Sequence, residues 1–371
     1  MIKKILLVLF LIFIFSINVN AEENDIYKEQ LEISKADKLS DTLPHNIQEY
    51  LEQYSIDLSD YNWVNNIGYQ NVFSHIWYFL SGGAKTQLAS FGCVLGIILL
   101  SAALLGNSGG SINQTVAYVT VISVAALLVG PLLSSINSCV EALKGCAVFI
   151  SAFVPVFASI LAAGGKVATS VSMSALLLGA ANGMTYIANY VIVPLISGYL
   201  AVSISSSVSP LVNNSGLSES IKKVVFWIIS LTSTIFVGIL GIQTAVNASA
   251  DNLSMKTARF IIGSAVPVTG GVLSEALSTL TASISLLKSS VGIYGVIVCC
   301  LFFLPILCEL LIWRLGLFGT IFVSNIFSLP KLSGLLKAID TVLSVLIGII
   351  LISCAMFVLS LTVVLNTGGS I

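Results

Sequence analysis

Charge is what this sequence lacks most. Asp, Glu, Lys and Arg make up 9% of its 371 residues, whereas hydrophobic residues make up 56% and the mean hydropathy is +1.01. A soluble domain carries about 25% charged residues, which it needs to cover a water-facing surface. The shortage of charge therefore excludes an ordinary soluble domain and predicts an all-α, polytopic helical membrane protein.

The residues of common catalytic sites are scarce as well. The two histidines, His45 and His75, have no clustered partners, and neither HExxH nor GxSxG occurs. Gly165-Lys166 matches the end of a phosphate-binding loop, but Ile160 stands where the first glycine of that loop belongs, and Val167 follows the lysine. We therefore expect no enzyme activity, no metal, no cofactor and no ATP site, so that a partner would supply any energy.

Cysteine is absent from the first 92 residues, and no two cysteines have the C-x-x-C spacing. This distribution argues against a disulfide framework and against a zinc site. Cys139 and Cys146 flank a predicted turn, where they form either a disulfide or two buried thiols, and the apolar surroundings favour buried thiols.

The N-terminal quarter differs from the rest of the chain. Residues 1–21 combine two lysines, an apolar run and small residues before Glu22, which predicts a cleaved signal peptide, with an uncleaved anchor as the alternative. Residues 22–85 hold eleven acidic residues and four lysines, with apolar residues at helical spacing. We expect them to form an acidic, helical, extracytoplasmic head.

Apolar runs after residue 86 predict about seven to eight transmembrane helices. We place about six spans in residues 86–246, an amphipathic Ser/Thr-rich extracytoplasmic or re-entrant segment at 247–290, and about two spans in 291–371. The spans lie near 88–106, 115–136, 146–163, 168–187, 188–208, 224–246, 291–313 and 341–364. With the head outside, eight spans would place Lys166 in the cytoplasm, and Lys288 and the C-terminus outside.

Two kinds of feature inside the spans suggest helix contacts or chemistry. The Gly92-x-x-x-Gly96 and Gly179-x-x-x-Gly183 spacings are typical of closely packed membrane helices. Glu309, with Arg314 five residues later, is the exceptional intramembrane carboxylate. It is either an ion-coupling group or, as we favour, an interface residue that pairs with Arg314 or Lys331.

The segment 247–290 is too polar for an ordinary span and too apolar for an ordinary loop. Pro267, Gly270 and Gly271 predict a kink. The candidate path-lining or partner-contact residues share this segment; they are a hydroxyl stripe at helical spacing and three charged residues: Ser274, Ser278, Thr281, Ser285, Lys256, Arg259 and Glu275. The alternatives are a helix lying flat at the membrane interface and hydroxyls bonded to their own backbone.

The order of these features resembles the stage III sporulation protein AE family of endospore-forming bacteria. The specific similarity lies within about residues 250–365 and rests on KTARF at Lys256–Phe260, VPVTGG at Val266–Gly271 and SISLLKSSVGIYGV at Ser283–Val296, followed by a span containing Pro305. The head follows no pattern of the family, so the resemblance assigns no role to its residues.

The resemblance implies a multi-pass protein of the mother-cell membrane around the forespore. It implies a subunit of a secretion-like channel or feeding-tube complex, needed for forespore development and late forespore gene expression. The implied partners are other stage III membrane and ring proteins, a separate cytoplasmic ATPase and a forespore-membrane protein. We also expect membrane lipid around the spans, a homo-oligomer or hetero-complex, and no nucleic acid. The alternatives are a secondary transporter of a small solute and a membrane assembly scaffold without a pore.

Overall fold

A computed structural model of the chain describes residues 24–59, Trp63, Gln87, 89–105, 110–208, 215–265 and 270–366. In these ranges 94% of the structure is helical and no strand occurs, which confirms the all-α prediction. The predicted signal peptide lies outside them. The helices are α1 Asn24–Ser34, a 3-10 helix Ala36–Thr42, α2 His45–Gln53, α3 Ala89–Leu105, α4 Gly110–Ala163, α5 Val167–Ile187, α6 Val193–Val208, α7 Ser215–Ala265, α8 Gly270–Ile326 and α9 Pro330–Asn366.

The head consists of α1, the 3-10 helix and α2. Its own apolar face includes Leu39, Ile47 and Leu51, which are buried. The head also packs on the membrane helices, since α1 contacts α8 and α4. The hydroxyl of Tyr27 donates to the carbonyl of Leu58 and lies 2.9 Å from Oγ of Ser290 in α8. We call this end of the helix bundle the head end.

Three helices, α4, α8 and α9, form the centre of the bundle. The thiols of Cys146 in α4 and Cys299 in α8 lie 3.9 Å apart. The rings of Phe303 in α8 and Phe357 in α9 stack with centroids 6.2 Å apart. Since α8 runs away from the head end while α4 and α9 run towards it, each contact fixes an antiparallel register. Apolar side chains fill the space between these helices.

The other helices lie around this centre. The Phe91 ring of α3 meets the Trp313 ring of α8 at 5.1 Å. A single helical rod, residues 167–208, consists of α5, a π-helical turn at Ala188–Ile192 and α6, and it packs against α4, α7 and α9. The π turn precedes Pro194, whose ring would clash with the carbonyl four residues earlier in a regular helix. The wide turn therefore lets the rod continue through the proline.

Two of the predicted breaks are absent. The predicted spans 115–136 and 146–163 lie in the continuous helix α4, and 168–187 and 188–208 lie in the single rod. Five helices among the described residues are long and apolar enough to cross a membrane, so the count of seven to eight is unconfirmed. Prolines do not end these helices, because packing against neighbouring helices compensates for the backbone hydrogen bond that a proline cannot donate. Isolated charged residues do not end them either, because their side chains point outwards.

The assignment of Lys166 and Lys288 to opposite sides of the membrane is wrong. The turn between α4 and α5 packs on α8, where a Cβ added to Gly164 would lie 3.2 Å from Ile284. Lys288 in α8 reaches the carbonyl of Leu365 near the end of α9. Lys166, Lys288 and the end of α9 therefore share the head end. The cause of the error is the continuous rod, which crosses from one end of the bundle to the other as one helix instead of two.

Candidate functional site at the head end

A buried carboxylate links α7 to α5 at the head end. Oδ1 of Asp251 accepts a hydrogen bond from the backbone N–H of Ala168 at 2.9 Å, and Oδ2 accepts one from the N–H of Thr169 at 3.2 Å. The Thr169 hydroxyl also donates to Oδ2. The first turn of a helix has unsatisfied N–H groups and a positive dipole end, so a carboxylate from another helix stabilises it.

A second polar contact continues this link one turn further along the two helices. The side-chain amide of Asn247 in α7 donates to the hydroxyl of Ser172 in α5. Asn247 and Asp251 are both buried, and they are one helical turn apart in α7. Together they fix the register of α7 against α5, which apolar packing alone would leave less well defined.

Two lysines lie beside this link. The side chain of Lys166, in the turn before α5, interacts with that of Lys288 in α8. Lys288 is only 7% exposed, and its Nζ donates to the carbonyl of Leu365 at 3.2 Å. Burial lowers the pKa of Lys166, and the nearby Lys288 and Asp251 oppose this shift. We call Lys166, Lys288 and Asp251 the lysine–aspartate cluster.

Sequence reasoning did not select Asp251 or the lysine pair. One signal was available: Asp251 is one of six acidic residues after residue 86, and it follows a long apolar run. The pairing of Lys166 with Lys288 had no such signal, because 121 residues separate them.

The predicted partner of Glu309 is wrong. Glu309 accepts a hydrogen bond of 2.8 Å from the Ser135 hydroxyl of α4. Arg314 instead pairs with Asp340 of α9, with Nε 2.9 Å from Oδ1, and Lys331 lies over the Tyr118 ring, 3.7 Å from its centroid. Within the described ranges, no cation forms an ion pair with Glu309.

The seven cysteines are free thiols. Cys139 and Cys146 are both buried, and Cys146 lies beside Cys299 of α8 instead of Cys139. The interpretation of buried thiols therefore holds for this pair.

The structure locates the predicted segment 247–290 without describing most of its side chains. Pro267 of the predicted kink lies outside the described residues, and Gly270 and Gly271 lie in the first turn of α8. Lys256 and Arg259 lie on α7, and Glu275, Ser274, Ser278 and Thr281 lie on α8, but the described part excludes their side chains. Ser285 is exposed, while the neighbouring Leu287 is buried. These path-lining and contact roles stay predictions.

The bundle is longer than a bilayer is thick. The 42 residues of the rod correspond to about 63 Å of helix, and a tilt of 40° would reduce its height only to about 48 Å. The hydrocarbon core of a bilayer is about 30 Å thick. Further from the head end than Tyr190, several helices still have an exposed apolar surface. Examples on α8 are Leu311, Leu315, Phe318 and Phe322. Part of this apolar surface therefore extends past one bilayer thickness.

Comparison with known proteins agrees with this architecture. The family of stage III sporulation protein AE matches residues 64–368, which include all of the long helices. The chain is 24% identical over 303 residues to stage III sporulation protein AE of Bacillus subtilis (strain 168), a match that covers 80% of this chain and 75% of the relative. No solved structure gives a significant match. On its sequence and its helical membrane architecture, this chain belongs to the stage III sporulation protein AE family and has a role in sporulation.

Proposed function

We propose that the protein is the membrane-embedded subunit of a multi-protein, secretion-like channel complex between mother cell and forespore. In this role it is needed for forespore development and late forespore gene expression. Its partners are other stage III membrane and ring proteins, a separate cytoplasmic ATPase and a forespore-membrane protein. It is not an enzyme, and the partner ATPase supplies the energy.

The observation that carries this proposal is the excess of apolar surface. A bundle about 48 Å high or more cannot bury all its exposed leucines and phenylalanines in one 30 Å hydrocarbon core. Exposed apolar patches beyond the lipid mark contacts with other proteins. A subunit of a larger membrane assembly has such contacts, whereas a solitary membrane protein would leave this surface in water.

The packing of the interior supports the same role. The cavity between α4, α8 and α9 has a volume of about 10 Å³, enough for one water molecule at most. Its lining is mostly apolar, with Ser135 as the polar member. We propose that a conduit forms between this protein and its partners or further copies, and that the helices 252–282 contribute to its entrance.

We propose that the head and the C-terminus lie outside the cytoplasm, in the space between the mother-cell and forespore membranes. The predicted signal peptide and the shared position of the head and the end of α9 support this orientation. Lys222, Lys223, Lys331 and Lys337 then lie towards the cytoplasmic end of the bundle, in agreement with the preference for positive residues on that side.

The test begins with deletion of the gene and microscopy of sporulating cells. The proposal expects stalled, shrunken forespores and loss of late forespore gene expression, with rescue by the full chain. Normal spores in the deletion strain would refute the proposal.

A second experiment tests the partner contact of the helices 252–282. Charge reversal in K256E/R259E should reduce co-purification of the ring proteins, whereas the matched pair K222E/K223E on the same helix should not. Equal co-purification by both variants, at equal membrane levels, would contradict this contact.

One observation favours a secondary transporter as the alternative. Glu309 is an intramembrane carboxylate whose hydrogen-bond partner among the described residues is the neutral Ser135, and intramembrane carboxylates often mark ion pathways. The variant E309Q separates the two functions. A transporter should lose activity in complementation, while a channel subunit should retain it because Gln still accepts the hydrogen bond from Ser135.

A further inference from the structure

We propose that the outer face of α4 lines the conduit, and that further copies of this chain form the opposite wall. Exposed residues recur on this face every three or four positions over about 38 Å of helix, and six of the eight are polar. We call them the α4 outer stripe: Ser134, Asn137, Glu141, Lys144, Val148, Ser151, Pro155 and Ser159. This inference rests on the proposed channel function and names the residues that face its water.

The outer face of α7 shows which level of the bundle lies in lipid. No charged residue occurs among the 27 residues from Val224 to Ala250. Large apolar side chains are exposed there, with Ile235 at 53% and Val237 at 57%. The stretch corresponds to about 41 Å of helix, enough to cross a hydrocarbon core of about 30 Å. The middle of this stretch, near Val237, therefore lies close to the middle of the membrane.

Two hydrogen bonds relate this level to α4. Asn247 of α7 donates to Ser172 of α5, and the Thr185 hydroxyl, 13 residues further along α5, lies 3.4 Å from the carbonyl of Leu143 in α4. Thirteen residues are about 20 Å of helix, and the same distance along the antiparallel α7 leads from Asn247 to about residue 234. Leu143 is therefore near the mid-membrane level, and the two charged residues of the α4 outer stripe flank it.

The α4 outer stripe is unsuited to lipid at this level. Glu141 and Lys144 are both exposed, and within the described ranges neither forms an ion pair. Charged side chains in the hydrocarbon core are costly, and they almost always face other protein or a water-filled cavity. The hydroxyls of Ser151 and Ser159 donate to carbonyls of their own helix, so lipid would tolerate these two. The charged residues, by contrast, require a polar environment.

The order of the charges favours further copies of the chain as the opposite wall. Glu141 and Lys144 differ in height by about 4.5 Å, a distance that long side chains can cover. In a ring of copies around an axis along the membrane normal, equal residues lie at equal heights. Glu141 of one copy can then pair with Lys144 of the next, and the Asn137 amides can both donate and accept hydrogen bonds. The α4 outer stripe is thus complementary to itself.

Cysteine reactivity in membranes of sporulating cells tests the water-filled path. The variants N137C and S151C are made in the full chain with Cys93→Ser, which removes the exposed native thiol and alone gives the background. A charged methanethiosulfonate attacks the thiolate, which forms in water and not in apolar surroundings. We expect labelling about tenfold faster or more than at I235C and V237C, the matched controls on α7 at the same height.

Oxidation with copper phenanthroline in the same membranes tests the opposite wall. N137C should form a disulfide-linked dimer of the full chain, whereas I235C should not. If the α4 outer stripe is labelled but N137C yields no dimer, or if both variants yield equal dimer, the assignment of the wall to further copies is overturned.

Charge reversal tests the pairing between copies. E141K and K144E each bring like charges together on neighbouring copies and should lower the yield of heat-resistant spores about tenfold. The double variant E141K/K144E restores opposite charges and should recover most of this yield at equal membrane levels. A double variant as defective as the single variants would contradict the pairing.

These outcomes are distinct from those that test the channel function itself. Normal spores in the deletion strain refute the channel function, whatever the reactivity of the α4 outer stripe. Stalled forespores in the deletion strain, together with N137C and S151C that react no faster than I235C, leave the channel function standing and overturn the α4 outer stripe as its lining.

Discussion

The central helices and the peripheral helices are both strongly apolar, but they differ in how much of their surface is buried inside the protein. Of the most apolar stretch of each helix, 72% is buried in α9, 56% in α8 and 50% in α4. In the rod 167–208 and in α7 the share is only 22%. All five are apolar enough to cross a membrane, because lipid and a protein core demand the same side chains. Hydropathy therefore predicts that a helix enters the membrane and not what covers it.

The glycines show the same division more sharply. Gly92, Gly96, Gly179 and Gly183 match the spacing for close helix contact, yet a Cβ added to any of them would meet nothing within 4 Å. In the centre, a Cβ on Gly145 would lie 2.8 Å from the Phe302 ring, and one on Gly295 would lie 2.7 Å from the Phe153 ring. Close approach occurs where a large side chain of a neighbouring helix faces the glycine, which the x-x-x spacing does not reveal.

The largest expected effect is loss of a central aromatic ring. Phe303→Ala removes a side chain that is fully buried between α8 and α9, and it should lower the free energy of unfolding by about 3–5 kcal/mol. Phe226→Ala on the exposed side of α7 should change it by about 0.5 kcal/mol or less. Denaturation in mixed micelles measures both. Equal losses would show that α7 is packed as tightly as the centre.

A smaller effect is expected from added volume. Gly295→Ala should destabilise by about 1–3 kcal/mol, because the new methyl group would overlap the Phe153 ring. Gly238→Ala on α7 meets open space and should stabilise the helix by up to about 1 kcal/mol. The same denaturation experiment should give shifts of opposite sign, and shifts of the same sign would remove the distinction between the two regions.

The peripheral helices α5 and α7 are linked by the hydrogen bonds of Asp251, and the loss of these bonds should lower the free energy of unfolding moderately. Asp251→Ala removes the cap of α5 and should cost about 0.5–2 kcal/mol. Asp251→Asn retains one carbonyl acceptor and should recover part of the loss. Glu219→Ala, which breaks an exposed ion pair of α7 with Lys223, is the control and should cost about 0.5 kcal/mol or less. An equal loss in both variants would argue against a structural role for Asp251.

The last prediction concerns position and involves no change in stability. In a chain whose remaining cysteines are Cys146 and Cys299, mild oxidation should form a disulfide between α4 and α8. A protease site inserted at residues 266–269 would yield two fragments that stay joined until reduction. The pair Cys139 and Cys354 is the control and should yield separate fragments. Failure of Cys146 and Cys299 to join would refute the central register.

The sequence was sufficient to predict the all-α membrane class, because scarcity of charge leaves no alternative. It could not predict that α4 continues past Glu141 and Lys144. Both side chains face outwards, and only the packing of the helices shows this. The partners of Glu309 and Lys166 were missed for a related reason: each comes from a helix distant in sequence.

The hydrogen bond between Tyr27 of the head and Ser290 of α8 has a consequence for biosynthesis. These two residues are 263 positions apart, and they meet only after α8 has been made. At about 5–20 residues per second, the ribosome needs roughly 13–50 s to cover that distance. During this interval the head exists without its docking surface and with Tyr27 open to water. The head is thus synthesised before the membrane helices and is among the last parts to reach its final position, so its docking reports that these helices have assembled.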